Sequence, residues 1–401
     1  MLELETALER ILALMPPAQS ERIALSEAPG RILAERVLAT LDLPAFDNSA
    51  MDGYAVRATD VSAASAASPV GLRLLGRVAA GETFSGEIAT GDCVRLFTGS
   101  PLPRGADAVI MQEDTRIDPA QPGVVWFLDS AKPWENIRFR GEDLKPGAVL
   151  GEIGDELTAG RLNLLAATGW THVQVGRRPI TGLLATGSEL LEVGQPLTPG
   201  KIYESNRLGL AALTAQAGGV PKIFPLVKDT LADTRAALET AFQACDLVVT
   251  SGGVSVGEMD FVKSAFEQLG GSLEFWKVAI RPGRPFVFGH CRGKFLFGLP
   301  GNPVSAFVTF LLLVRPVLAR WQGATNLSLP THPATLAEPF SNLGDRRHFM
   351  RVTVDSVGKV RSAGAQASHI LTSLAAANGM IEVPPRTTLP AGATVPVMRW
   401  G

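Results

Sequence analysis

The chain has 401 residues, 46% of them apolar and 19% charged, with a net charge of −2. That length exceeds what one core organises, so several domains are expected. The near-neutral charge excludes nucleic-acid binding by bulk electrostatics, and any anion site has to be local.

The chain opens on a helix: Leu4, Leu8, Ile11 and Leu12 share one face, and Pro16-Pro17 stops it. This acidic, periodic start is a poor signal peptide. From about 55 to 140, short alternating runs such as Gly71–Leu75 and Val124–Phe127 stand between glycine and proline turns, an all-β pattern. From about 177 to 325, strands and helices alternate. Strands are expected over Pro179–Leu184, Ile223–Val227 and Asp246–Val249, and helices over Leu208–Gln216, Leu231–Ala244 and Asp260–Leu269. Such alternation builds a mostly parallel sheet with helices on both faces, and its ligands sit at the carboxyl ends of the strands. The apolar run Phe310–Val314 ends at Arg315-Pro316 and is too short to span a membrane. Strands dominate again from about 328. Cys93, Cys245 and Cys291 have no metal or redox spacing and read as buried small hydrophobes, which fits a reducing cytoplasm.

The most informative stretch is Thr250–Glu258, TSGGVSVGE, between a buried strand and a helix. Strand, glycine turn and helix start present free backbone N–H groups to one point, which attracts anions; the plainer alternative is a tight turn that needs glycine for steric reasons. Around it, ATGSEL places Glu189, KDT places Asp229, and GEMD places Glu258 and Asp260. Singly, each carboxylate is a good helix cap. Acids from three strand-end loops on one sheet face suit a Mg²⁺ bridging phosphate oxygens. The loop FWKVAIRPGRPF carries Lys277, Arg281 and Arg284 on a backbone fixed by Pro282, Gly283 and Pro285, as bidentate oxyanion recognition requires. Leu299–Ser305, LPGNPVS, starts an apolar helix ending in FLLLVRP, with Asn302 and Ser305 as donors. Outside this region, Leu43–Val56 packs polar groups at a density that is rarely core. There is no HExxH, GxSxG or GxxxxGK[ST], so zinc proteolysis, elbow-type hydrolysis and P-loop chemistry lack support.

The ordered set DNSAMDGYAV, FTGSPLPRGADAVIMQED, RFRGEDL, ATGSEL, TSGGVSVGEMDFVK, FWKVAIRPGRP and LPGNPVSAF resembles the molybdopterin molybdenumtransferases, the MoeA family, similar to the E domains of gephyrin and of its plant counterpart. The resemblance covers essentially the whole chain. It implies a multidomain α/β plus β fold: an elongated N-terminal composite domain (1–50 plus 141–176), an inserted β domain (51–140), a molybdopterin-binding α/β domain (177–327) and a C-terminal β-barrel-like domain (328–401). It further implies a cytoplasmic homodimer that inserts molybdate into molybdopterin, starting from adenylylated molybdopterin, releasing AMP and using Mg²⁺. Supply by a molybdopterin adenylyltransferase and hand-over to molybdoenzyme maturation proteins follow from that role, with no nucleic-acid or membrane partner.

Carried onto this sequence, the family's roles fall as follows. Ser251, Gly252, Gly253, Ser255 and Gly257 would grip the substrate phosphates, with Lys277, Arg281, Arg284 and the Pro300-Gly301 turn beside them. Glu189, Asp229 and Asp260 would hold the metal or position an attacking oxygen, joined as catalytic groups by Asp52, Thr98 and Asp143. Asn302, Ser305, Arg138, Arg346, Arg351 and Ser368 would bind the oxyanion or cofactor, with Arg346 and Arg347 interchangeable in the motif DRRHFMR. His369 has no role. Two departures stand out: RPGRP replaces the family's frequent KPGKP, and Asp229-Thr230 replaces a frequent pair of aspartates. A non-catalytic scaffold of the same fold and a molybdopterin adenylyltransferase are the competing functions. Retention of Asp52, Asp143, Glu189, Asp229 and Asp260 argues against the first, and the extra terminal domains against the second.

Overall fold

The computed structural model describes residues 1–79, 81–253 and 261–400. They form two compact units, one of residues 1–35, 153–158 and 172–401, the other of residues 36–152 and 159–171.

In the first unit, helix α1 (Leu4–Ala13) buries Leu4, Ala7 and Ile11, the face its sequence period marks. Strand β1 (Ser20–Ala24) pairs antiparallel with β2 (His172–Gly176), so two segments distant in sequence close one ribbon. The α/β layer follows. Its strands are β3 (Ile180–Ala185), β4 (Val220–Ile223), β5 (Leu247–Ser251), β6 (Ser272–Lys277), β7 (Pro285–Cys291) and β8 (Lys294–Leu299), in spatial order β4-β3-β5-β8-β7-β6. Strands β4, β3, β5 and β8 run parallel; β7 is antiparallel to both of its neighbours. Near-continuous apolar runs are what a sheet covered on both faces demands: all five residues of β5 are buried. Helices α2 (Asn206–Gln216), α3 (Leu231–Ala244) and α4 (Phe261–Gln268) connect the strands. Thr230 caps α3, its side chain accepting from the Asp233 N–H.

Two expectations are corrected here. Strand β4 lies at Val220–Ile223, and Val227 makes only an isolated bridge to Thr186. The apolar helix also does not stop at Pro316: α5 runs Pro303–Trp321, with a π-helical segment at Phe310–Val314. Proline lacks an N–H and crowds the carbonyl four residues back, and a widened turn relieves both. By length and hydropathy α5 alone among the described helices could cross a membrane, yet 72% of its apolar window is buried within this unit. It is a core helix, with Phe310, Leu313, Val314, Val317 and Leu318 fully enclosed.

The carboxyl-terminal strands are β9 (Thr331–Leu336), β10 (Arg347–Val354), β11 (Lys359–Ser362), β12 (Gly379–Val383) and β13 (Thr394–Met398). Pairings β10–β11, β11–β9, β9–β13, β13–β12 and β12–β10 close a five-stranded barrel. Residues Ile280–Arg281, ahead of β7, add a short parallel strand to the start of β10.

The second unit carries a six-stranded sheet in the order 108–111, 53–56, 92–96, 70–78, 124–127, 115–117. The polar stretch Leu43–Val56 departs from its sequence reading. Asn48, Ser49 and Tyr54 are buried, the Ser49 hydroxyl donating to the Met51 carbonyl at 2.5 Å and the Tyr54 ring meeting Phe127 edge-on at 5.8 Å. Local backbone bonds satisfy the short polar side chains, and that lets them enter a core.

Candidate functional site

Strand order fixes where a ligand can sit. From β3 the chain crosses to β4 on one side and then to β5 on the other, so the loops leaving β3 and β5 diverge and open a crevice. A cleft of about 710 Å³ lies there. Thr186 and Gly187 follow β3, Gly252 and Gly253 follow β5, Pro300–Asn302 follow β8, and Asp229 precedes α3; all line it.

The loops are tied to one another. The Thr186 N–H donates to the Ser251 carbonyl at 3.2 Å and the Gly252 N–H to the Leu299 carbonyl at 3.1 Å. Asn206, the first residue of α2, donates through one amide to Ser251 Oγ at 2.6 Å and to the Gly301 carbonyl at 2.7 Å. Gly252 and Gly253 have φ of +87° and +67°, and an added Cβ would stand 2.6 Å from the Thr186 carbonyl oxygen or 2.7 Å from Thr186 Oγ1. Glycine is therefore required twice over, by backbone conformation and by close approach. Of the glycine-loop residues named from sequence, Ser251, Gly252 and Gly253 line the cleft, while Ser255, Gly257 and Asp260 lie outside the described residues.

Glu189 and Asp229 line the same cleft, and one Asp229 oxygen accepts from the Ser188 N–H at 2.8 Å. Among the described residues no three His, Cys, Asp or Glu side chains converge to cage a metal. Two carboxylates at this cleft fit the way Mg²⁺ is held, by one or two protein acids with the remaining positions filled by substrate and water.

The cationic groups form a second cluster in this unit, on the barrel. Asn302, in the cleft, donates to Ser368 Oγ at 3.1 Å, and the Val304 N–H reaches the Ser368 carbonyl at 3.1 Å. These bonds join the start of α5, with Ser305, to the segment Gln366–Ser373. Arg351 is 1% exposed. Its Nη2 donates to the carbonyls of Ala365 and Ala367 at 2.7 and 3.2 Å and its Nε to Ser373, but its Nη1 has no partner. His348, two strand positions from Phe349's neighbour Met350, is 3% exposed, and neither ring nitrogen has a partner. Burial, with the charges of Arg281, Arg351 and Arg346, pushes its pKa down to about 4. Arg281 lies opposite His348 across the short strand, and Arg346 Nη1 donates to the Ile280 carbonyl at 3.0 Å. Within DRRHFMR the Arg347 fork is filled by Glu382 and Glu5 at 2.6–2.7 Å, which raises its pKa further, whereas among the described acids Arg346 has only Asp345, at 3.6 Å, and is one of the three arginines whose charge acts on His348.

Lys277, Arg281 and Arg284 do not line the cleft itself; Pro285 of that loop does. Gly283 holds the loop against α5, where any Cβ would meet Thr309 Cγ2 at 2.4 Å. His369, left without a role by sequence, lines the cleft, as do Asn206 and Tyr203. Asn206 had a visible signal, a polar residue opening an amphipathic helix, but that signal points to capping.

In the second unit, Asp52 accepts from the Thr98 N–H at 2.7 Å and the Thr98 hydroxyl at 2.8 Å, and these two bonds hold its carboxyl below the usual range. Arg95 lies over the rings of Tyr54 and Phe97 and has a buried, unpartnered Nη1. Arg138 is exposed on a two-residue strand paired with Asn48–Ser49, and Asp143 is exposed on the following turn.

A doubly wound sheet with a glycine-lined switch-point cleft, joined to a small barrel that buries arginine without an acid, defines a protein that handles phosphorylated ligands and oxyanions. Residues 2–169 match the MoeA N-terminal region (domain I and II), residues 182–320 a probable molybdopterin binding domain, and residues 333–400 the MoeA C-terminal region (domain IV). The chain is 40% identical to the molybdopterin molybdenumtransferase of Haemophilus influenzae, over 99% of this chain and 98% of that one. It is 36% identical to the Bacillus subtilis protein of the same name, over 98% and 93%. A molybdopterin biosynthesis MoeA protein from Pyrococcus horikoshii superposes with a TM-score of 0.84 at 32% identity, with both chains fully covered. The chain belongs to the molybdopterin molybdenumtransferase family and is a transferase of molybdenum cofactor biosynthesis.

Proposed function

We propose that this chain inserts molybdate into molybdopterin presented as the adenylylated form, and that AMP leaves as the phosphoanhydride is cleaved. The observation that carries the reading is the buried, incompletely partnered guanidinium of Arg351, linked through Ser368 and Asn302 to the glycine-lined cleft. A buried cation with an empty donor is costly unless an anion completes it, and a tetrahedral dianion supplies several acceptors at once.

In this reading the backbone of Ser251–Gly253 holds the phosphates, because no side chain intrudes there. Arg351, Arg346, Arg281, Ser305 and Ser368 seat molybdate as substrate. Glu189 and Asp229, with Asp260, would hold Mg²⁺, which supplies charge neutralisation for the phosphoanhydride when bound. Asp52, kept ionised by Thr98, and the exposed Arg138 and Asp143 are contributed by the second subunit of a homodimer working in the cytoplasm. A molybdopterin adenylyltransferase supplies the substrate, and molybdoenzyme maturation proteins receive the product.

The test is AMP release from adenylylated molybdopterin by the purified chain. Release is expected to require both molybdate and Mg²⁺. Release indifferent to molybdate would sink the reading, and ATP-dependent formation of the adenylylated compound would reassign the chain to the preceding step.

A further inference from the structure

The helices that start in the first cleft run on to a second. Asn206 and Pro303 line the first; Leu213 and Gln216 of α2 and Leu311 and Arg315 of α5 line a second cleft of about 580 Å³. A helix the length of α2 spans about 15 Å, so the two are separate sites on one scaffold. The second cleft adjoins a smaller one of about 330 Å³, with Gln216, Ala217 and Arg315 common to both.

Its chemistry is lopsided. Arg315, Arg399 and His332 line the larger part and Arg178 the smaller, while Glu156 is the one carboxylate among the described lining residues. The whole chain carries a net charge of −2, so this excess of cations is local. Arg315 donates to the Leu327 carbonyl at 3.0 Å, and Arg178 Nε is buried with no partner. Burial lowers the pKa of both guanidinium groups, and the nearby charges of Glu156 on Arg315 and of Glu21 on Arg178 do not offset it. The rest of the lining is largely apolar: Leu213, Leu311, Leu329 and the Trp400 indole, which is itself fixed edge-on to Phe307 at 5.3 Å. The walls are held firmly, because Gln322 donates to the carbonyls of Ala217 and Leu318 at 3.0 and 2.8 Å. The π-helical segment ends at Val314, so the irregular turn delivers Arg315 to this spot, and such segments recur at functional positions.

We propose that this cleft is a second ligand site, for a small organic anion: a phosphate or carboxylate set on Arg315, with an apolar body against Trp400 and Leu311. The guanidinium side selects the head group and the indole side excludes a bare inorganic ion as the preferred ligand. This inference is independent of the reaction assigned to the first cleft.

The experiment soaks crystals of the full chain with phenyl phosphate and titrates the same compound by ligand-observed NMR, with phenol and inorganic phosphate in parallel. Density for phenyl phosphate at Arg315 and Trp400 is expected, with phenol and inorganic phosphate each binding at least tenfold more weakly. Arg315→Gln is expected to weaken binding tenfold or more; Arg399→Gln, on the rim, serves the same purpose if the first variant does not fold. Density confined to the 251–253 cleft, or equal affinity in wild type and the folded variant, overturns the site. Inorganic phosphate binding as tightly as phenyl phosphate overturns the organic character of the ligand.

Discussion

The switch-point cleft and the barrel wall recognise anions by opposite means. The cleft is made by subtraction: glycine at 252 and 253, small hydroxyl residues, and loops whose backbones lock one another. The wall is made by addition: Arg351 and His348 are buried with donors left over and no acid to absorb the charge. A cleft of backbone dipoles tolerates being empty. A buried guanidinium does not, so the wall is the region whose stability should respond most to its ligand.

The sharpest way to break this contrast is Arg351→Leu. Molybdate-dependent AMP release is expected to fall about 1,000-fold, near 4 kcal/mol, and the thermal shift on adding molybdate should vanish. Arg347→Gln, whose fork already holds two carboxylates, should keep that shift; loss in both variants would mean that the effect is only structural.

Next is the imidazole. His348 is pushed from the ordinary imidazole value of 6.5 to about 4, so between those pH values the unfolded chain binds a proton that the native chain refuses. Its contribution is full above pH 6.5 and is lost as pH falls toward 4, a change on the order of 3 kcal/mol. Denaturant midpoints of His348→Phe should fall less steeply than wild type between pH 6.5 and 4.

In the cleft the effects shrink. Asp229→Asn should lower AMP release about 100-fold, near 2.7 kcal/mol, and raise the Mg²⁺ concentration for half-maximal rate; an unchanged Mg²⁺ requirement removes Asp229 from that role. Gly252→Ala should cost about 1–2 kcal/mol through its positive φ and the Thr186 contact, read as a lowered Tm with molybdate's thermal shift intact.

The division between legible and illegible follows the same line. Helix α3 stands where its sequence period puts it, Leu231–Ala244, because an amphipathic face and a threonine cap are local signals. The places of Gly252, Gly253, Glu189 and Asp229 beside one cleft are legible because α/β alternation fixes the ends of strands. The barrel's closure was not, since β10–β12 pairing joins residues about thirty apart without a local mark. Nor was the state of Arg351, because a sequence shows a cation but not whether an acid waits for it. Asn48 and Ser49 misled for the same reason: composition registers polarity, while the bonds that let polarity into a core lie in the backbone around it.

The short strand at Ile280–Arg281 has a mechanical meaning. It hydrogen-bonds the arginine loop of the α/β layer into β10, the barrel strand that carries His348 and Arg351. Arg281 and Arg351 therefore share one continuous backbone lattice, and their spacing is as stiff as a sheet. Any opening that admits substrate has to hinge beyond that lattice, leaving the charge template undistorted through the cycle.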